Sequence, residues 1–297
     1  MRQLGTLIAA FGRQYEVELD SGELLLCFPR AKKSLFACGD RVEIAITAPG
    51  QGVIDKLEPR TSLLYREDAF KQKLIAANLT QIIIVTAVEP SFNPELLTRC
   101  LCAAEDQEIK SLIVLNKCDL STQIDAARAL LAPLSAIGYE VLELSAHGEL
   151  TELARRLPGE QSLLVGQSGM GKSTLTNALV PDAEARTREI SAALDSGKHT
   201  TTFSRLYKLP EGGTLIDSPG LQIFGLAHLS RSALEHSFID FRPFLGQCRF
   251  RDCRHEAEPG CVLREAAGTG AIHPLRFAHY LTLRSELEYA LRARVGH

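Results

Sequence analysis

Residues 166–174 of this 297-residue chain read GQSGMGKST, a match to the pattern G-x-x-x-x-G-K-S. Glycines at these spacings let successive backbone N–H groups turn toward phosphate oxygens, and a helix beginning at the lysine adds its positive end. Gly166, Gln167, Ser168, Gly169, Met170, Gly171, Lys172, Ser173 and Thr174 are therefore candidate nucleotide contacts. Lys172 would reach the β- and γ-phosphates, and Ser173 would hold Mg²⁺. The apolar run SLLVG before the loop supplies the strand that such a loop requires.

A second group, NKCD at 116–119, ends the apolar run SLIVL. A carboxylate at Asp119 would accept from guanine N1–H and the exocyclic amine, an edge that adenine does not present. Asn116 would brace the loop, and the Lys117 stem would cover the base. ELSA at 143–146 ends the next apolar run and brings the Ser145–Ala146 backbone toward guanine O6. Downstream, LIDSPG at 215–220 offers Asp217 for Mg²⁺ through water and the Gly220 N–H as a sensor of the γ-phosphate. GKHTTTF at 197–203 supplies the threonines of a first switch; Thr201 is favoured as the Mg²⁺ and γ-phosphate ligand, with Thr202 beside it. Where many GTPases carry a water-orienting glutamine stands Leu221, which cannot serve. Two histidines are candidates for that catalytic role: His199 next to the threonines, and His228 beyond the second switch. His228 is favoured because its segment joins the switch to the cysteine cluster, and a near-neutral pKa suits proton handling.

That cluster is Cys248-x4-Cys253-x-His255-x5-Cys261. Three thiolates and one imidazole close a tetrahedral zinc site with no open position, which favours a structural role. Arg249, Arg251 and Arg254 would ride on this knuckle, where they could face RNA phosphate.

These residues need a scaffold, and the chain divides into three textures. Residues 1–62 alternate apolar and polar in short runs punctuated by turns, which predicts a small antiparallel barrel, oligonucleotide-binding or SH3-like. Residues 63–225 carry buried apolar strands at 82–88, 111–116, 140–146, 162–166 and 214–217, with helices predicted at 94–106, 122–137 and 172–180. Strand–helix alternation predicts an α/β domain with a parallel sheet. Residues 226–297 hold the zinc cluster and an amphipathic helix at 275–294. The nucleotide motifs stand in rotated order: the base-reading half precedes the phosphate half. A closed α/β domain has neighbouring ends, so joining old termini and cutting elsewhere preserves the site. The cut falls just after the second switch.

Bulk properties set limits. Apolar residues are 45% and charged residues 23%, the balance of a globular protein. No apolar run approaches the ~18–20 residues of a membrane span, and no export signal is recognisable, so a cytoplasmic protein is expected. The scattered cysteines Cys27, Cys38, Cys100, Cys102 and Cys118 suit small apolar buried roles. Net charge is −3, distributed as +1 over 1–66, −6 over 67–225 and +2 over 226–297. All ten C-terminal cations are arginines, the side chain suited to phosphate forks.

The rotated order NKCD, SA, GQSGMGKS, HTTT, DSPG, behind a small barrel and ahead of C-x4-C-x-H-x5-C, resembles the ribosome small-subunit-dependent GTPase A family (RsgA/YjeQ). The resemblance spans nearly the whole chain. It implies an oligonucleotide-binding barrel at the N-terminus and a circularly permuted GTPase domain. It further implies a late assembly factor that binds GTP, the small ribosomal subunit and its rRNA, with hydrolysis stimulated by the subunit; a monomer is expected.

Overall fold

The computed structural model describes residues 2–11, 14–30, 36–67, 72–120, 123–180, 183, 204–218 and 224–295. His199, Thr201, Thr202, Gly220 and Leu221 lie outside the described residues.

Five strands form the N-terminal barrel: β1 (Arg2–Phe11), β2 (Gln14–Leu19), β3 (Leu24–Pro29), β4 (Arg41–Ala48) and β5 (Gln51–Leu57). Their order is β1-β2-β3-β5-β4, closed by β1 against β4, with β3 and β5 parallel and the other pairs antiparallel. Period-two alternation decides which side chains fill it: Tyr15, Val17 and Leu19 of β2 point inward with Leu25, Val42, Ile44 and Ile54. At the barrel's base Asp40 is fully buried, held by Arg60 at 2.7 and 2.8 Å and by the Ala37 N–H at 2.7 Å.

A hairpin not foreseen from the sequence follows, β6 (Leu63–Glu67) with β7 (Gln72–Ala77). The α/β sheet then uses β8 (Gln81–Ala87), β9 (Lys110–Asn116), β10 (Glu140–Glu143), β11 (Gln161–Val165), β12 (Arg205–Lys208) and β13 (Thr214–Asp217). Strands β10-β9-β8-β11-β13 are parallel, and β12 pairs antiparallel with β13. Every residue of β8 is buried, as expected of a central strand covered on both faces. The chain runs outward from β8 to β10, then returns to place β11 on the other side of β8. Ligands bind at such a topological reversal, beyond the carboxyl ends of the strands. Strand β12 also meets β1 of the barrel at Ala9 and Arg205, and Arg205 reaches Glu16 at 2.8 Å.

Helices α1 (Pro94–Asp106), α2 (Ile124–Ala136), α3 (Thr151–Ala154) and α4 (Lys172–Leu179) connect these strands. The C-terminal region is helical: α5 (Arg231–Ser237), a 3₁₀ turn at Arg242–Phe244, α6 (Val262–Thr269) and α7 (Pro274–Val295). It docks on α1, where Arg99 forks onto Glu286 at 2.7 and 2.6 Å and Thr98 meets His279 at 2.9 Å. The α7 helix is amphipathic only in part. Its inward side carries Arg276, His279 and Arg284 beside Tyr280, Leu283 and Leu287. Each of these polar groups has a partner, Asp240 for Arg276 at 2.5 and 3.2 Å, so helical periodicity in hydrophobicity is blunted. Of the scattered cysteines, Cys27, Cys38, Cys100 and Cys102 are buried, and Cys118 is half-buried.

Candidate nucleotide site and metal centre

The loops after β9, β10 and β11 converge on one side chain. Asn116, the last residue of β9, is only 1% exposed. Its Nδ2 donates to the Met170 carbonyl at 2.8 Å, while its Oδ1 accepts from Lys117 N at 2.8 Å and Ala146 N at 2.9 Å. The base-reading loop, the Ser145–Ala146 loop and the phosphate loop are thus fastened by one amide. Lys117 takes a left-handed φ of 62°, and the Cys118 N–H bonds to Leu144 O at 3.1 Å, so the turn carries Asp119 outward. Asp119 is exposed, and the Ser145 hydroxyl beside it holds its carboxyl below the usual carboxylate range. An ionised acceptor there is what guanine recognition requires.

Two glycines of the phosphate loop are dictated by close approach. A Cβ on Gly166 would sit 2.3 Å from Val85 O, and one on Gly171 would sit 2.2 Å from Asn116 Nδ2. Gly171, with φ of 92°, caps α4 and starts the helix at Lys172. The Lys172 ammonium folds onto the loop itself, donating to Gly166 O and Gln167 O, both at 2.8 Å. Burial lowers its pKa, and burial likewise pushes the Asp217 carboxyl up to about 6, partly offset by Lys172. A buried ammonium and a buried carboxylate close enough to influence each other at a phosphate loop suit a site that receives a polyanion and a divalent cation together. Ser218 donates to Leu164 O at 2.9 Å, which pins the segment after β13 to the phosphate strand. Ser168, Gly169 and Ser173 are exposed, Gln167 and Thr174 are half-buried, and Met170 is buried. Sequence reasoning missed the outer brace of this loop: Gln167 Oε1 accepts from Asn93 N at 2.7 Å, and Asn93 caps α1.

The ligand atoms of Cys248, Cys253, His255 and Cys261 lie within 4.8 Å of one another. His255 Nδ1 is 3.6 Å from the Cys248 sulfur and 3.3 Å from that of Cys261. A tetrahedron with zinc–sulfur and zinc–nitrogen bonds of about 2.3 and 2.0 Å has mixed edges of about 3.5 Å, so the donor set fits that ion. Burial pushes the Cys261 thiol up to about 12, and a bound cation would reverse that preference. Arg249, Arg251 and Arg254 all stand exposed on the surrounding turns.

A family model described as RsgA GTPase matches residues 57–227. This chain belongs to the RsgA GTPase family. A small ribosomal subunit biogenesis GTPase RsgA from Burkholderia pseudomallei (strain 1710b) is 55% identical over 296 residues, covering 98% of this chain and 94% of the relative. One of the same name from Ralstonia nicotianae is 52% identical over 292 residues, covering 96% and 92%. Among solved structures, YjeQ from Thermotoga maritima superposes with a TM-score of 0.73 at 30% identity, covering 97% of this chain and 99% of that one. YloQ, described as a circularly permuted GTPase, gives 0.70 at 25% identity over 97% and 96%.

The rotated motif order read in the sequence is thus an RsgA architecture. The remaining candidate of this family member is His228. Its ring packs on Tyr65 of β6, centroids 4.1 Å apart and planes inclined by 38°. Tyr65 carried no signal in the sequence, because the hairpin that presents it lies 163 positions away.

Proposed function

We propose that this chain is a GTP hydrolase of small ribosomal subunit biogenesis. It binds the small subunit and its rRNA in the cytoplasm as a monomer, and the bound subunit stimulates its turnover. The observation that carries the GTP reading is the Asn116 amide, which ties a guanine-reading carboxylate loop to a phosphate loop. The ribosomal reading rests on relatives of that name at 55% identity across almost the full chain. Among the described residues no helix is long and apolar enough to cross a membrane.

In this reading Asp119 selects guanine, the Ser145–Ala146 backbone meets its O6, and Lys117 lies over the base. Lys172 leaves its loop carbonyls for the β- and γ-phosphates, a short move for a flexible four-carbon stem. Gly166 to Thr174 wrap the phosphates. Ser173, Thr201 and Asp217 would hold the Mg²⁺ that accompanies GTP, and the Gly220 N–H would report the γ-phosphate. A magnesium ion held there with GTP would supply charge neutralisation for the transferred phosphoryl group. His228 positions the attacking water once its segment is drawn from Tyr65 toward the phosphates, and His199 is the other candidate for that task. Cys248, Cys253, His255 and Cys261 hold one structural zinc, keeping Arg249, Arg251 and Arg254 fixed for RNA phosphate.

The test is GTP turnover by the purified full-length chain with and without small ribosomal subunits. A large stimulation by small subunits, absent with large subunits, is expected. Equal turnover in all three conditions would overturn the ribosomal reading, and equal competition by ATP would overturn the guanine one.

A further inference from the structure

The metal cluster has a neighbour outside its own sequence motif. His255 turns Nδ1 toward the cysteine sulfurs, which leaves Nε2 facing away from any ion held there. On that side stands Glu235 of α5, its Oε1 3.4 Å from Nε2. The same oxygen accepts from Arg231 Nε at 2.9 Å and from the Tyr280 hydroxyl at 3.1 Å. Tyr280 is fully buried, and Glu235 is mostly so, with a side chain 16% exposed. Arg231 also donates to the Cys253 carbonyl. A buried carboxylate is therefore aimed at the one ring nitrogen of His255 that a metal would not use.

We propose that Glu235 is a positioning residue for the metal centre: it accepts the Nε2–H of His255, fixes the tautomer that leaves the Nδ1 lone pair free, and raises the ring's strength as a ligand. Carboxylates do this for metal-bound imidazoles generally, and their removal costs 10–100-fold in metal affinity. The backbone at His255 is itself unusual, with a left-handed φ of 61° at a non-glycine residue. Arg231 makes the arrangement reciprocal, since it fastens both Glu235 and the carbonyl of a second ligand, Cys253, to the first turn of α5.

The inference rests on the zinc reading proposed above, and the two fail differently. Zinc content and affinity are measured on the reduced full-length chain by competition with a chromophoric chelator. Wild-type protein that binds no zinc overturns the zinc reading and this one with it. If wild type binds, Glu235→Ala is expected to lose about 10–100-fold in affinity, and Glu235→Gln, which keeps an acceptor oxygen without the charge, a smaller part of that. Cobalt-substituted protein supplies the second readout: the ligand-field spectrum of Glu235→Ala should shift, because the imidazole is no longer held, while Tyr280→Phe leaves it unchanged. Should Glu235→Ala not fold, Glu235→Gln alone decides, with a measurable loss expected. Affinities within about twofold of wild type in the glutamate variants, with an unchanged cobalt spectrum, overturn the proposal.

Discussion

Asn116→Ala removes a side chain that touches three loops of the candidate nucleotide site. The Met170 carbonyl and the Lys117 and Ala146 N–H groups each lose a partner. A hydrogen bond contributes a net 0.5–1.5 kcal/mol, so the three together amount to about 1.5–4.5 kcal/mol. Each 1.4 kcal/mol is tenfold in affinity, so binding of a fluorescent GDP or GTP analogue should weaken by about tenfold to a thousandfold. Asn116→Asp divides the effect. It keeps the acceptor for Lys117 and Ala146 but sets an oxygen against the Met170 carbonyl, at a site where 2.8 Å now separates donor from acceptor. That variant should bind nucleotide weakly yet retain its preference for guanine over adenine, whereas Asn116→Ala should lose both. Titration with the labelled nucleotide, followed by displacement with unlabelled GTP and ATP, measures the two quantities separately, with thermal melting as the check on folding. A folded Asn116→Ala protein binding GTP within about threefold of wild type would refute the brace, because the loss of three partners, two of them in buried bonds, cannot be so cheap.

Asp119→Asn removes the acceptor for two guanine donors at a cost of roughly 1.5–3 kcal/mol, so GTP affinity should fall while xanthosine triphosphate binding improves; unchanged preference in competition titrations would end that assignment. Replacing Arg249, Arg251 and Arg254 together should weaken small-subunit binding and lower its salt slope by roughly 0.9 per lost phosphate contact, a value for duplex DNA; unaltered affinity and slope mean that this knuckle faces protein or solvent. His228→Ala should keep GTP and subunit binding but lose most of the subunit-stimulated rate, while Tyr65→Ala, which frees the ring, should raise turnover without subunits and Tyr65→Phe should not. Full stimulation of His228→Ala together with its loss in His199→Ala would move the role to His199.

What the sequence disclosed follows from which forces are local. Strands β8, β9 and β11 are buried on both faces and so appear as unbroken apolar runs, and α1 announces itself by Asn93 followed by Pro94, a capping residue before the favoured first-turn proline. Glycines in the phosphate loop are legible because a side chain there would strike Val85 or Asn116. Strand β12 has only four residues, too short for alternation to register, and β1 mixes faces where it leaves one partner for another. The hairpin carrying Tyr65 precedes the first of the parallel runs and has no long apolar stretch of its own. Asn93 with Gln167 and Glu235 with His255 are contacts between elements, invisible to any pattern that reads neighbours in the chain.

Rotating the motif order changes what the end of the second switch is attached to. In the unrotated arrangement the chain leaving that switch would continue into the base-reading strands. Here β9 and β10 are already built, and the chain after Asp217 runs instead through His228 to α5 and the metal centre. The C-terminal helices then fold back onto α1, where Arg99 holds Glu286 and Arg242 reaches Glu105 at 2.6 Å. At the other end of α1, Asn93 is bonded to Gln167 of the phosphate loop. The C-terminal region therefore grips the nucleotide site by two routes, one covalent through the second switch and one non-covalent along a rigid helix. Asp217 is joined to α5 along the chain, and Gln167 is joined to the C-terminal helices through α1. Were docking on a large partner to shift α5 and α7, both connections would carry that shift toward the loop after β11 and the end of β13 with no partner atom entering the site.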